Sequence, residues 1–269
     1  MNSPCDKAII VAAGRGRRLG ENTQEIPKCM VRVGGQPILH WQLRAFAAAG
    51  IRDITIVRGY LGNRIEPGDF AVRFVDNPDW ERNNILASLM YAADEFSGGF
   101  YFSYCDIVYA PSVVARLAAA ALDNMAASLV IDRRWADAYR GRTLHPVSEA
   151  ELTAVASDGP RKGERVVQVG KGAVAAGHAV GEFIGLAHFS SAGAAALTKI
   201  WREALGASGL DASFGRAKTL RQAYLTDALN AMAGAGECLS PVFIDGEWRE
   251  IDTQQDLAAA ERAANLWTG

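Results

Sequence analysis

Two hydrophobic rhythms alternate along the first half of the chain. Short, nearly continuous apolar runs, KAIIVAAG (7–14), DITIVRG (53–59), AVRFVDN (71–77), GFYFSYCDIVY (99–109) and AASLVID (126–132), punctuate it. Between them, apolar residues return at every third or fourth position, over 37–49, 83–96 and 111–124. An unbroken apolar run suits a strand covered on both faces, whereas the three-to-four spacing gives a helix a single apolar stripe. Pro37 fits a first helical turn, Gly50 a stop, and Asn83 or Asn84 an N-cap. Strands alternating with helices from 7 to 132 predict an α/β fold, a Rossmann-like, doubly wound and mostly parallel sheet. A ligand would then lie beyond the carboxyl ends of the strands, near a topological switch point.

The rhythm changes after 132. RRWADAYRGRTLHPVSEAELTAVASDGPRKGE is polar and turn-rich, and RVVQVGK and VGEFIGLAHF then read as extended segments. Residues 133–189 are therefore expected to form an inserted lobe or lid within a single domain spanning 1–269. Helices near 190–205 and 217–234, a strand at PVFI and a last helix near 254–266 complete the chain.

With 49% hydrophobic residues among 269, the chain is long enough to bury a sizeable core. A net charge of −2 gives no basic footprint for nucleic acid or a membrane surface, so neither is an expected partner. MNSPCDKAII lacks the apolar core of a signal peptide, and no apolar stretch reaches spanning length. Cysteines 5, 29, 105 and 238 are scattered, which suits reduced thiols in a cytoplasmic protein. The histidines (40, 145, 178, 188) lack metal-site spacing. Oligomeric state, a homo-oligomer included, is left open.

The arginines at 15, 17 and 18 must then be read locally, in AIIVAAGRGRRLGENTQEIPKCMV (8–31). The loop holds G-R-G-R-R-L, which is neither the dinucleotide G-x-G-x-x-G nor the P-loop. The second strand also ends in Val57-Arg58-Gly59 and not in the acid that a dinucleotide fold requires. Gly14 and Gly16 let the backbone approach a ligand closely, and clustered guanidiniums need either water or an anion such as phosphate. Pro27 stiffens the chain before Lys28 and would aim its ammonium.

Two aspartates stand at element ends. Asp106 follows FYFSYC, and Asp252 lies in WREIDTQQDL before the last helix; each is a candidate Mg2+ ligand or a simple cap. Glu182 sits in an otherwise apolar strand, where a carboxylate needs either a protein arginine or a cationic group on a ligand. Tyr104 and Trp135 could offer such a cation an aromatic face or simply pack in the core. Asn84 and Ser88 are candidates for bonds to base or ribose, Asn84 being equally a cap.

The G-x-G-x-R-L…T-x-x-x-P-K arrangement resembles the signature of nucleotidyltransferases, of which sugar-1-phosphate nucleotidylyltransferases are the best-known members. SYCDIVY, HPVSEAE, VGKG…GEFIGLAHFS and WREIDTQQDL look like the cytidylyltransferases acting on phosphocholine and on 2-aminoethylphosphonate. The resemblance covers about 7–260 and is weakest over 133–165. It implies a Mg2+-dependent transfer of CMP from CTP to a phosphonate or phosphocholine-like acceptor. Arg18, Lys28 and Lys171 would then act on phosphate groups, and Ala12, Ala13, Gly14, Arg15 and Gly16 would hold the nucleotide. Asp106 and Asp252 would hold the metal, and Tyr104, Trp135 and Glu182 the acceptor. Cys105, where such enzymes carry glycine, and Arg17, often threonine in the sugar enzymes, depart from the pattern. The competing readings are a sugar-1-phosphate enzyme using UTP or dTTP and a non-catalytic nucleotide-binding regulatory module.

Overall fold

The computed structural model describes residues 5–121, 124–157, 163–264 and 267. Four strands carry the first half: β1 (Lys7–Ala12), β2 (Asp53–Arg58), β3 (Val72–Asp76) and β4 (Phe100–Tyr104). They are parallel and lie in the order β4-β1-β2-β3, so the chain reverses its direction of winding between β1 and β4. The crevice beyond the ends of these two strands is the switch point that the alternation of elements anticipates.

Five more strands complete a nine-stranded sheet: β5 (Ala127–Asp132), β6 (Leu152–Ser157), β7 (Glu164–Val169), β8 (Gly181–Phe189) and β9 (Leu239–Ile244). β8 runs antiparallel to β4 on one side and to β5 on the other, and β9 joins β5 in parallel. All nine residues of β8 are buried, as a strand at the centre of a covered sheet requires. The segment expected as a lobe is thereby divided. Residues 181–189 belong to the sheet, while the part before them adds the β6–β7 hairpin and packs Tyr139, Ala150, Leu152 and Val174 into a small core of their own.

Helices α1 (Ile38–Ala48), α2 (Ile85–Met90), α3 (Pro111–Ala120), α4 (Ser191–Ser208), α5 (Leu225–Gly234) and α6 (Gln254–Ala264) follow the apolar periodicity. The sheet is covered on both faces. Ile9 and Val11 of β1 point into one core with Leu86, Leu197 and Leu229, and Ala8, Ile10 and Ala12 into another with Leu43, Phe46 and Val114. The helix expected over 83–96 is α-helical only through Met90 and resumes as a 3-10 turn at Ala93–Phe96. Positions 265 and 266 of the expected last helix lie outside the described residues.

One break in the expected strands matters for the site. The run 99–109 does not continue straight: it turns at Cys105-Asp106, and Ile107–Tyr109 pairs instead with Trp248–Glu250 in a separate ribbon. Periodicity could not reveal this turn, because both sides of it are apolar. Its consequence is that Ile251 N donates to Asp106 O at 2.8 Å, bringing two chain segments that are remote in sequence side by side.

Gly185 sets the bend where β8 passes Tyr104. Its φ is +83°, and the β8–β5 register shifts between Phe183 and Ala187. A Cβ there would overlap the Tyr104 ring. Gly185→Ala is expected to destabilise the protein by at least about 2 kcal/mol, from the left-handed backbone and overpacking together. Urea unfolding checks this; an unchanged midpoint would contradict the assignment.

Candidate active site

Strand β1 ends in a loop whose shape depends on Gly16. At φ +67° it leaves no room for a side chain, because a Cβ would meet the Lys28 stem at 2.9 Å. Thr23 is buried and donates to Gly16 O at 3.0 Å, which ties the loop to the turn that follows. Lys28 is thus carried under the loop, only 6% exposed.

There its ammonium meets both aspartates. Lys28 Nζ donates to Asp106 Oδ2 at 2.8 Å and to Asp252 Oδ1, while Arg18 pairs with Asp252 Oδ2. Burial alone would discharge Lys28, but Asp106 and Asp252 outweigh it and hold the ammonium charged. Burial would likewise raise Asp252, yet Lys28 and Arg18 keep its carboxyl well below the usual range. Asp106 Oδ1 remains buried without a hydrogen-bond partner. Two carboxylates converging on one cation, with an oxygen to spare, form a donor set that fits Mg2+.

The turn carrying Asp252 is itself clamped. Asp256 Oδ2 accepts the amides of Asp252 (3.1 Å) and Thr253 (2.8 Å), and its Oδ1 accepts Arg142 Nε at 2.6 Å. Arg142 also donates to Glu250 at 2.9 Å. Burial, with Asp252 and Asp106 nearby, pushes the Glu250 carboxyl well up. His145 lies between these acids, 3.4 Å from Asp252 and 3.6 Å from Glu250, and burial together with Arg142 lowers its imidazole to about 4. It is neutral at pH 7.

All of this opens on a cavity of about 390 Å³ lined by the loop, the aspartates and both halves of the sheet. Ala13, Gly14, Gly16, Arg18, Lys28 and Asp106 line it near β1; Asp252, Asn84, Ser88, Tyr104, Lys171 and Glu182 complete the expected set on its wall. Asn84 is the N-cap of α2, accepting from Ile85 N at 2.9 Å. Ser88 is buried and joins Asn77 and Asn83 in a polar network. Lys171 pairs with Glu149 at 3.0 Å and lies over the Tyr224 ring.

Three expected residues are placed elsewhere. Ala12 is buried inside β1; Arg15 is exposed and stacks over Tyr60 at 5.2 Å; Trp135 packs edge-on against Tyr139 in the small core of the inserted segment. Glu149, Glu151 and Glu250 line the cavity, and sequence reasoning missed all three. SEAEL carries no periodic signal, and Glu250 was legible only as a neighbour of Asp252.

Comparison with known proteins gives three useful matches besides a family model. Residues 8–216 match the MobA-like NTP transferase domain. CTP:phosphoglutamine cytidylyltransferase of Campylobacter jejuni is 30% identical over 260 residues, 93% of this chain and 97% of that one. 2-Aminoethylphosphonate cytidylyltransferase of Lancefieldella rimae is 33% identical over 104 residues, 38% of this chain and 42% of the relative. The structure of CTP:phosphocholine cytidylyltransferase from Streptococcus pneumoniae has a TM-score of 0.70 at 19% identity, covering 96% of this chain and 98% of that one. The sheet with its helices on both faces is thus a nucleotidyltransferase fold.

Lys28→Met leaves two facing carboxylates without their shared cation. In metal-free buffer it is expected to cost about 3–5 kcal/mol, the usual loss on breaking a buried ion pair. Millimolar Mg2+ should recover part of that loss in the variant and add little to the wild type. An equal response of both proteins to Mg2+ in urea unfolding would show that Lys28 does not hold the cation position.

Proposed function

Since this chain belongs to the MobA-like NTP transferase domain family and is a nucleotidyltransferase, we propose that it transfers CMP from CTP to a small phosphonate or phosphate-ester acceptor, releasing pyrophosphate. The observation that carries this reading is the gathering of Arg18, Lys28, Asp106 and Asp252 at one end of a single cavity. The choice of CTP rests on the relatives, two of which are named for CTP or for cytidylyl transfer at full or partial length.

An acceptor oxygen attacks the α-phosphorus in line, forming one P–O bond as the bond to the departing pyrophosphate breaks. That oxygen is already anionic near neutral pH, so no general base is needed, and catalysis reduces to positioning and charge stabilisation. Asp106 and Asp252 would hold Mg2+, which when bound supplies positive charge to the triphosphate oxygens. Lys28 and Arg18 would balance charge developing around the α-phosphate and the pyrophosphate. In the free protein both are tied to the aspartates, so a bound triphosphate would exchange their partners. Backbone groups at Ala13 to Gly16 would cradle the nucleotide, and Asn84 and Ser88 would face its base or ribose. Lys171 would orient the acceptor's phosphorus group, with Tyr104 and Glu182 along its other end. Trp135 would contribute only through Tyr139, against which it packs.

Pyrophosphate release from the four nucleotides, each offered phosphocholine, 2-aminoethylphosphonate and glucose-1-phosphate, tests the reading. CTP with an aminated acceptor should be preferred, and Asp106→Asn or Asp252→Asn should each lower kcat by about 10²–10³-fold, as loss of a preorganised charge does. Preference for UTP or dTTP with glucose-1-phosphate would assign a sugar nucleotidylyltransferase. CTP binding without pyrophosphate from any pair would assign a silent module.

A further inference from the structure

Away from the Lys28 cluster, the cavity wall is acidic. Glu151 and Glu182 come from neighbouring strand edges, where Phe183 N donates to Glu151 O at 2.9 Å. Both are buried, 6% and 4% exposed. Each accepts one tyrosine hydroxyl: Tyr104 reaches Glu151 at 3.1 Å, and Tyr139 reaches Glu182 at 2.8 Å. The second oxygen of Glu182, Oε2, is buried and has no hydrogen-bond partner. Burial raises the two carboxyls to about 7 and about 8, and Glu151 adds to the shift of Glu182. Lys171 and Arg142 favour the charged forms of Glu151 and Glu182 through space, but the hydrogen bonds of Lys171 go to Glu149 and those of Arg142 to Glu250 and Asp256.

A buried carboxylate is costly unless something both compensates its charge and donates to its lone pairs. Three kinds of ligand group can be weighed against that demand. A hydroxyl, as on a sugar or polyol, donates a hydrogen bond but brings no charge. A quaternary ammonium brings charge but has no N–H to give. A primary ammonium brings both, with three donors to share between the acids. An amino acid would add a carboxylate beside its amine, facing Glu149, Glu151 and Glu182 on one wall.

We infer that Glu182 and Glu151 form the binding site for a primary ammonium on the acceptor, which makes the substrate class an aminoalkyl phosphonate or aminoalkyl phosphate without a carboxylate next to the amine. This rests on the cytidylyl-transfer reading of the same cavity. It separates the chain from an enzyme for phosphoglutamine, the acceptor in the name of the Campylobacter relative.

The test compares four acceptors with CTP and Mg2+: 2-aminoethylphosphonate, its N-trimethyl analogue, ethylphosphonate and phosphoglutamine. Binding of each acceptor is also followed by calorimetry, with a non-hydrolysable CTP analogue present. We expect 2-aminoethylphosphonate to exceed ethylphosphonate on the order of 100-fold in kcat/KM or in affinity, the effect of a buried charge partner. Glu182→Gln should raise KM for the aminated acceptor at least about tenfold more than for ethylphosphonate, with Glu151→Gln acting in the same direction. Equal use of ethylphosphonate, preference for the trimethyl analogue or phosphoglutamine, or an equal effect of Glu182→Gln on both acceptors would overturn the inference. If CTP and acceptor bind with the expected ammonium preference but no pyrophosphate forms, the ammonium site stands and the transfer reading fails.

Discussion

A lysine ammonium held under a glycine loop, between two carboxylates from distant parts of the chain, is the interaction on which this site depends. Lys28, Asp106 and Asp252 are all at least partly withdrawn from water, and none of them is tolerable there alone. Their mutual presence is what keeps Lys28 and Asp252 charged. The same arrangement explains why Gly16 is a glycine, since the Lys28 stem fills the space a side chain would need. It also assigns Arg18 a partner in the free protein, although all three arginines of the basic turn are exposed.

The fold supplies the convergence by two separate means. The order β4-β1-β2-β3 places the ends of β1 and β4 next to each other, so the glycine loop and Asp106 border the same crevice. The small ribbon of Ile107–Tyr109 with Trp248–Glu250 then delivers Asp252. Arg142 and Asp256 lock that turn through a set of hydrogen bonds and connect it to the inserted segment. The inserted segment is therefore tied to the turn that carries Asp252 through the side chain of Arg142.

Much of this was legible in the sequence, for physical reasons. The buried strands β1 and β2 read plainly because parallel strands covered on both faces are uninterrupted apolar runs. Glycine, proline and charge at element ends singled out the loop, Lys28 and the two aspartates, but only the family resemblance gave them a shared role. What did not read depends on long-range pairing. The turn at Cys105-Asp106 is flanked by apolar residues on both sides, and β8 looks from sequence like any extended segment although it occupies the middle of the sheet. Trp135 could be read as an aromatic wall or as a packing residue, and its edge-on contact with Tyr139 in the small core favours packing. Glu151 passed unnoticed in a polar stretch, because only the burial created by the β6–β8 pairing makes a carboxylate there unusual.

The strength of the central ion cluster can be measured without knowing any substrate. A double-mutant cycle of Lys28→Met and Asp252→Asn, followed by urea unfolding in metal-free buffer, isolates the energy with which the two side chains support each other. The account predicts an interaction of at least about 1.5 kcal/mol, within the range found for directly contacting groups in one network. Losses that add within about 0.5 kcal/mol, as they do for independent sites, would contradict it.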